Sequence, residues 1–216
     1  PKAAVGVEGS SMYLKEGEKY TVKDLLCGLM LRSGNDCAVA LALDTSGGIE
    51  EFAKLMNGIA SKLKLTNSHF VNPHGLPENN HYTSAYDLAI ITAYALKNKE
   101  FSEIVKSKNY MLSNGNTIIN KLLSSLEGCD GVKTGFTKEA GRCLVSSATR
   151  GDATYICVVL SCGPMFEECA EKLNTAFNSL IMTDIISTNT PLCEIEVVGG
   201  EQKHVSLGLA CVTHFP

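Results

Sequence analysis

The 216 residues carry 19 basic and 23 acidic side chains, a net charge of −4, with 44% hydrophobic and 19% charged residues. That balance suits one good-sized globular domain, or one domain with part of another, and argues against a nucleic-acid binder, which presents a basic face. No apolar stretch approaches the length needed to span a bilayer, and Tyr155–Leu160 reads as a buried strand.

The first twenty residues read as loop, with glycines at 6 and 9, serines at 10 and 11, and a turn at Lys15-Glu16-Gly17-Glu18. Pro1-Lys2-Ala3-Ala4 has neither an initiating Met nor the basic-then-apolar design of a signal peptide, so the chain reads as a fragment or a trimmed product. Thr21-x-x-Asp24 resembles a capping box, and Val22, Leu25, Leu26 and Leu29 follow at helical spacing. This helix is expected to stop near Ser33-Gly34, because glycine ends helices readily. A second helix then starts at Asn35 or Asp36, which puts Ser33-Gly34-Asn35 at a helix–helix junction. After Gly47-Gly48, Ile49, Phe52, Met56, Ile59 and Leu63 mark an amphipathic helix with those residues as its core face. Residues 66–82 are rich in Asn, Pro and Gly and read as loop, with His69 and His74 in structural or surface roles and His81 exposed. Ser84-x-x-Asp87 caps a helix to about Lys97, and a short helix lies near 101–107.

Strand-like pieces at Asn109–Leu112 and Thr117–Ile119 flank a Ser113-Asn114-Gly115-Asn116 turn. From Gly131 the pattern is that of strands, with Cys143–Thr149 and Thr154–Ser161 joined by Arg150-Gly151-Asp152. A helix over 165–182 carries Phe166, Ala170, Leu173, Phe177 and Leu180 on one face. Residues 188–191 read as a linker, and Cys193–Val198 and His204–Leu209 flank Gly199-Gly200 as a second hairpin. The expected fold is α+β, an antiparallel sheet with a helical cluster over 21–107. Residues 1–187 are expected to form one domain and 188–216 to open a small β-rich domain. Nine cysteines form no Cys-x-x-Cys and no zinc-finger spacing, so they are read as buried free thiols; the alternative is one or two disulfides, with Cys157–Cys162 the least implausible pair. No glycine-rich phosphate loop follows a strand.

Two triplets carry chemistry. Lys133-Thr134-Gly135 on an edge strand can pair its backbone with an extended substrate, its ammonium can meet a carboxylate, and Gly135 leaves room for a close approach. Ser33 and Asn35 can face the same cleft from the helical side, the hydroxyl as a proton relay and the amide as donor and acceptor. Ser-x-Asn also occurs at Ser107–Asn109 and Ser187–Asn189, where it is read as a turn or helix end. The two triplets, in this order, point to acyl transfer through an active-site serine.

With these motifs and their flanks, the chain resembles the serine-type D-alanyl-D-alanine carboxypeptidases, the low-molecular-mass penicillin-binding proteins. The resemblance rests on Gly9-Ser10-Ser11-Met12, Leu29-Met30-Leu31-x-Ser33-Gly34-Asn35-Asp36, Asn67-Ser68-His69-Phe70, Tyr82-Thr83-Ser84-Ala85-x-Asp87 and Asp130-Gly131-Val132-Lys133-Thr134-Gly135-Phe136-Thr137. It implies β-lactamase/transpeptidase-like architecture and removal of the terminal D-Ala from peptidoglycan stem peptides through an acyl-enzyme, with β-lactams as inhibitors. Ser33 relays a proton, Asn35 holds the substrate amide, and Lys133, Thr134, Gly135 and Phe136 bind substrate, the Phe136 N–H as an oxyanion donor. It implies no metal or cofactor, no nucleic acid, an extracytoplasmic location, and any membrane anchor outside this chain. The Ser-x-x-Lys that supplies the nucleophile is not found before Ser33; Ser61-x-x-Lys64 matches only formally, since it follows the Ser-x-Asn element. Phe136 stands where relatives often carry His, and the strand after the hairpin, from Thr154, lacks the Arg that some relatives carry there. Two other readings are a serine β-lactamase, against which the missing Glu-x-x-Leu-Asn argues, and a non-catalytic binding module that keeps the cleft.

Overall fold

The structure is a computed structural model and describes residues 1–119, 128–179, 191–196 and 198–207. The chain divides into two compact units, Pro1–Phe177 and Asn178–Pro216. The first unit opens with a short 3-10 turn at Lys2–Ala4, then loop to residue 20. Helices α1 (Val22–Arg32), α2 (Asn35–Ser46), α3 (Ile49–Lys62), α4 (Ala85–Leu96) and α5 (Lys99–Lys106) form the helical cluster. The hairpin β1 (Asn109–Met111) and β2 (Thr117–Ile119) follows, then the antiparallel sheet β3 (Cys129–Thr137), β4 (Gly141–Arg150) and β5 (Ala153–Val159) in that order. The α+β expectation holds.

Local sequence accounts for most element ends. Thr21 and Asp24 form the full capping box at the start of α1, with Asp24 N–H donating to Thr21 Oγ1 at 3.0 Å and Thr21 N–H to Asp24 Oδ2 at 3.2 Å. Ser84 caps α4 by accepting from Asp87 N–H at 3.1 Å. Gly47 ends α2 in the left-handed region at φ 76°. Helix α1 stops where expected, just before Ser33-Gly34, but not by the glycine. The left-handed residue there is Ser33, at φ 63° and ψ 32°, not Gly34, which lies at φ −66°.

The expected core face of α3 holds in part: Ile49, Phe52, Met56 and Leu63 are half-buried, Ile59 is exposed, and the fully buried residues are the small Ala53 and Ala60. The helix packs on α2.

On the sheet, α6 (Met165–Asn178) covers one face by packing Met165, Phe166 and Cys169 against Leu144, Cys157 and Val159. Its buried residues are Cys169 and Leu173, and Tyr155 meets Phe177 edge-on at 4.9 Å between centroids. Leu180 of the expected stripe lies outside the described residues. From the helical cluster, α4 packs on β4 and β5 and α5 on β3. Gly131 is where α5 comes closest to β3. It sits at φ 126°, and a Cβ there would lie 3.0 Å from Val105 Cβ, so no larger residue fits.

Buried aspartates tie loops to this frame. Asp24 accepts from Tyr110 Oη and Ser113 N–H, both at 3.2 Å, and from Ser113 Oγ, pinning the β1–β2 hairpin to α1. Asp87 accepts from Asn67 N–H at 2.9 Å and Ser68 Oγ at 2.7 Å, pinning the start of the 66–82 loop. In the second unit, β6 (Cys193–Glu196) and β7 (His204–Leu207) form an antiparallel hairpin, with both strands exposed. Residues 188–190 of the expected 188–191 linker, and Ser187–Asn189, lie outside the described residues.

Candidate active site

The two triplets, a hundred residues apart in sequence, meet. Lys133 Nζ donates to Ser33 Oγ, and also to the Thr134 carbonyl at 2.6 Å. Ser33 reaches the strand because it closes α1 in the left-handed region, which turns its side chain out of the helix path. Lys133 sits mid-strand on β3, opposite Val145 of β4. Among the described residues β3 is paired on one side only, so the triplet's backbone lies on a sheet edge. Gly135 pairs with Cys143 and is exposed, and a Cβ there would meet only Cys143 Cβ, at 3.9 Å. Thr134 is half-buried, and the Phe136 ring is 70% exposed at the end of the same edge.

The electrostatics of this arrangement are one-sided. Burial pushes the Lys133 ammonium down to about 8 from its ordinary value. Among the described residues no carboxylate forms an ion pair with it; the ion pairs present are Lys99–Glu103, Lys106–Asp130 and Lys172–Glu168. An ammonium has three hydrogens to give. Two are taken by Ser33 and Thr134, and the third has no protein partner among the described residues. A desolvated cation with a donor to spare is a site for an anion.

Asn35 is placed at the first position of α2, beside Ser33. Its Nδ2 donates to Glu8 O at 2.7 Å and its backbone N–H to Ser10 O at 2.8 Å. The amide therefore grips the 8–14 segment with its nitrogen, and no described residue partners its Oδ1. Sequence reading missed Asp36 next door. This carboxylate is 1% exposed and accepts from Ser11 Oγ at 2.7 Å, Met12 N–H at 3.0 Å, Leu14 N–H at 3.1 Å and Cys37 N–H at 2.9 Å. The available signal was an acid in the first turn of a helix that also lies in the Ser-Gly-Asn-Asp run.

The remaining candidates lie elsewhere. Ser61 and Lys64 are both exposed at the end of α3. His69 Nδ1 bonds Asn80 O at 2.6 Å, and Leu76 N–H donates to His74 Nδ1 at 3.2 Å, as structural histidines do. His81 was expected to be exposed; instead it is half-buried and accepts from Val71 N–H at 3.1 Å. The eight described cysteines are unbridged; Cys27 and Cys37 are buried as expected and Cys143 and Cys157 half-buried.

Comparison with known proteins places this geometry. The family profile described as Peptidase S11, D-alanyl-D-alanine carboxypeptidase, matches residues 2–163. D-alanyl-D-alanine carboxypeptidase DacF of Bacillus subtilis (strain 168) is 37% identical over 213 residues, covering 94% of this chain and 55% of its own length. Among solved structures, a D-alanyl-D-alanine carboxypeptidase from Mycobacterium tuberculosis H37Rv is similar at TM-score 0.77 and 30% identity, over 82% of this chain and 72% of that one. Penicillin binding protein 5 from Haemophilus influenzae is similar at TM-score 0.76 and 32% identity, over 96% of this chain and 63% of that one. The chain spans about half the length of the curated relatives it matches.

Proposed function

From the premise that this chain belongs to the D-alanyl-D-alanine carboxypeptidase family, we propose that it forms the substrate-binding walls of a serine D-Ala-D-Ala carboxypeptidase that trims peptidoglycan stem peptides outside the cytoplasm. The observation that carries the reading is the half-buried Lys133 ammonium, hydrogen-bonded to Ser33 and, among the described residues, without an ion-pair partner and on an unpaired sheet edge. A peptide ending in D-Ala-D-Ala supplies what this edge lacks: a strand to pair with β3 and a terminal carboxylate for Lys133.

In this reading a serine from sequence outside these 216 residues attacks the carbonyl of the penultimate D-Ala. The lysine of the same Ser-x-x-Lys element takes the serine's proton, the C–N bond to the last D-Ala breaks, and that proton is relayed through Ser33 to the leaving amine, while Lys133 stays charged against the terminal carboxylate. The Phe136 N–H helps stabilise the oxyanion, and Asn35 holds the substrate's amide. Water then cleaves the ester and frees the serine. A β-lactam acylates the same serine and leaves slowly. No metal or cofactor takes part.

The test uses the complete protein. Release of D-Ala from a D-Ala-D-Ala peptide and a stoichiometric penicilloyl adduct by mass spectrometry are expected. An adduct with no D-Ala release would move the reading to a penicillin-binding module or a β-lactamase, and neither would refute it.

A further inference from the structure

By sequence distance Cys157 and Cys162 are the nearest pair for a disulfide, and the fold separates them. Cys157 stands opposite Ser146 on β4. Cys162 is held near the start of the same strand by its backbone N–H, which donates to Arg142 O at 2.8 Å. Arg142 and Ser146 lie about 13 Å apart along an extended strand. A disulfide joins residues whose Cα atoms are no more than about 7 Å apart.

The thiol that Cys157 does meet comes from α6. Directly opposed residues of an antiparallel pair share a face, so Ser146 and Cys157 lie on the same side as Leu144 and Val159, the side that α6 covers. Cys169 of α6 is 2% exposed and packs there in one cluster with Leu144 and Cys157. The two thiols hydrogen-bond, Cys157 donating and Cys169 accepting, with the Ser146 hydroxyl beside them. That bond pulls the Cys169 thiol below its ordinary range, against its burial, and pushes Cys157 above it. Cys129, within electrostatic reach of Cys169, gives its own thiol hydrogen to Gly131 O at 3.5 Å instead. An acidic thiol with a second thiol against it is an arrangement suited to thiol–disulfide exchange.

We propose that Cys157 and Cys169 form a reversible disulfide that staples β5 to α6 when the protein meets a small disulfide, R–S–S–R. Cys157, half-buried where Cys169 is buried, is the sulfur such a reagent reaches. It exchanges to Cys157–S–S–R, and one RSH leaves with the Cys157 proton. The Cys169 thiolate, its proton given to solvent, then attacks the Cys157 sulfur. The bond to R breaks, and the second RS⁻ leaves and takes up a proton. The protein loses two electrons and two protons, and R–S–S–R becomes two RSH. The Lys133 side chain lies on the other face of the sheet, opposite Val145, so the staple stands independently of what the cleft binds.

The experiment incubates the complete protein with oxidised glutathione and caps the remaining thiols with N-ethylmaleimide. Chymotryptic cleavage after Tyr155, Leu160 and Phe166 then puts Cys157, Cys162 and Cys169 on separate peptides for mass spectrometry. A Cys157–Cys169 cross-link with Cys162 capped is expected, lost on treatment with dithiothreitol. The oxidised protein should melt about 5 °C or more above the reduced one, because the bridge restricts the unfolded chain. Cys162→Ser should leave the cross-link unchanged, and Cys169→Ser should leave only a glutathione adduct on Cys157. The proposal is overturned by a cross-link from Cys157 or Cys169 to Cys162 or Cys129, by wild-type protein that carries adducts or free thiols and no cross-link, or by a cross-linked protein that melts no higher. The wild-type mapping needs no variant to fold.

Discussion

Ser33 occupies backbone space that glycine would fill without strain. A left-handed residue with a side chain costs about 1 kcal/mol, and here the serine hydroxyl meets Lys133. Removing the hydroxyl can therefore be separated from relieving the backbone. Ser33→Gly and Ser33→Ala should both lose activity, but Ser33→Gly should melt higher, by the equivalent of about 1 kcal/mol; equal melting temperatures would show that the conformation is unstrained. Lys133 gives a pH signature. Burial lowers its pKa to about 8, so the ammonium is present below that pH and fades above it. If the charged form binds the substrate carboxylate, kcat/KM should fall as pH rises through about 8. Lys133→Ala should lower kcat/KM at least tenfold, about 1.4 kcal/mol of transition-state stabilisation, and abolish that limb. A profile that rises through the same pH would make the neutral amine the working form.

At the scale of elements, three helix starts hold buried carboxylates that reach out to loops: Asp24 in α1, Asp36 in α2 and Asp87 in α4. For Asp24 and Asp36, burial alone would push the carboxyl up. Hydrogen bonds outweigh it, from Ser113 and Thr21 in the first case and from Met12, Leu14, Ser11 and Cys37 in the second, and hold both below the ordinary carboxylate range. A carboxylate depressed on folding stabilises fully above its unfolded pKa of about 3.9 and loses that contribution as pH falls through the lower folded value. The urea midpoint should therefore be level from about pH 7 to 5 and drop below about 4. Asp24→Asn should cost about 2 kcal/mol at neutral pH and make the acid drop shallower; a variant as stable as wild type at pH 7 would remove Asp24 from this role. The same residues show what could be read in advance. The Thr21–Asp24 and Ser84–Asp87 caps span three residues and were legible, as were the turn at 113–116 and the strand pair around Gly151. The bonds from Asp24 to Ser113 and from Asp36 to Leu14 cross 89 and 22 residues, and no local pattern encodes them. Ala53 and Ala60 were passed over on α3 because periodicity weighs large apolar side chains.

At the scale of the molecule, the proposed reading makes Ser33, Asn35 and the Lys133 strand two walls of a cleft, with no nucleophile motif ahead of Ser33. The 216 residues alone should take up no penicillin while the complete protein does; a stoichiometric adduct on the shorter chain would refute this, and its position would test Ser61. Both triplets were legible because each is a short run of unusual composition. Their meeting was expected from resemblance, and the bond from Lys133 to Ser33 is what the fold adds. Among the described residues β3 is unpaired on one side, and that has a cost outside catalysis. An edge that welcomes a peptide strand will also welcome the edge of another copy of itself. Two such edges meeting antiparallel would bring two Lys133 ammonium groups together, so like-charge repulsion keeps the molecules apart while the lysine is protonated. The pH that disarms the cleft also removes this guard. Light scattering should therefore show more self-association above about pH 8 than the rising negative net charge alone would allow, and added D-Ala-D-Ala peptide should reverse it by occupying the edge.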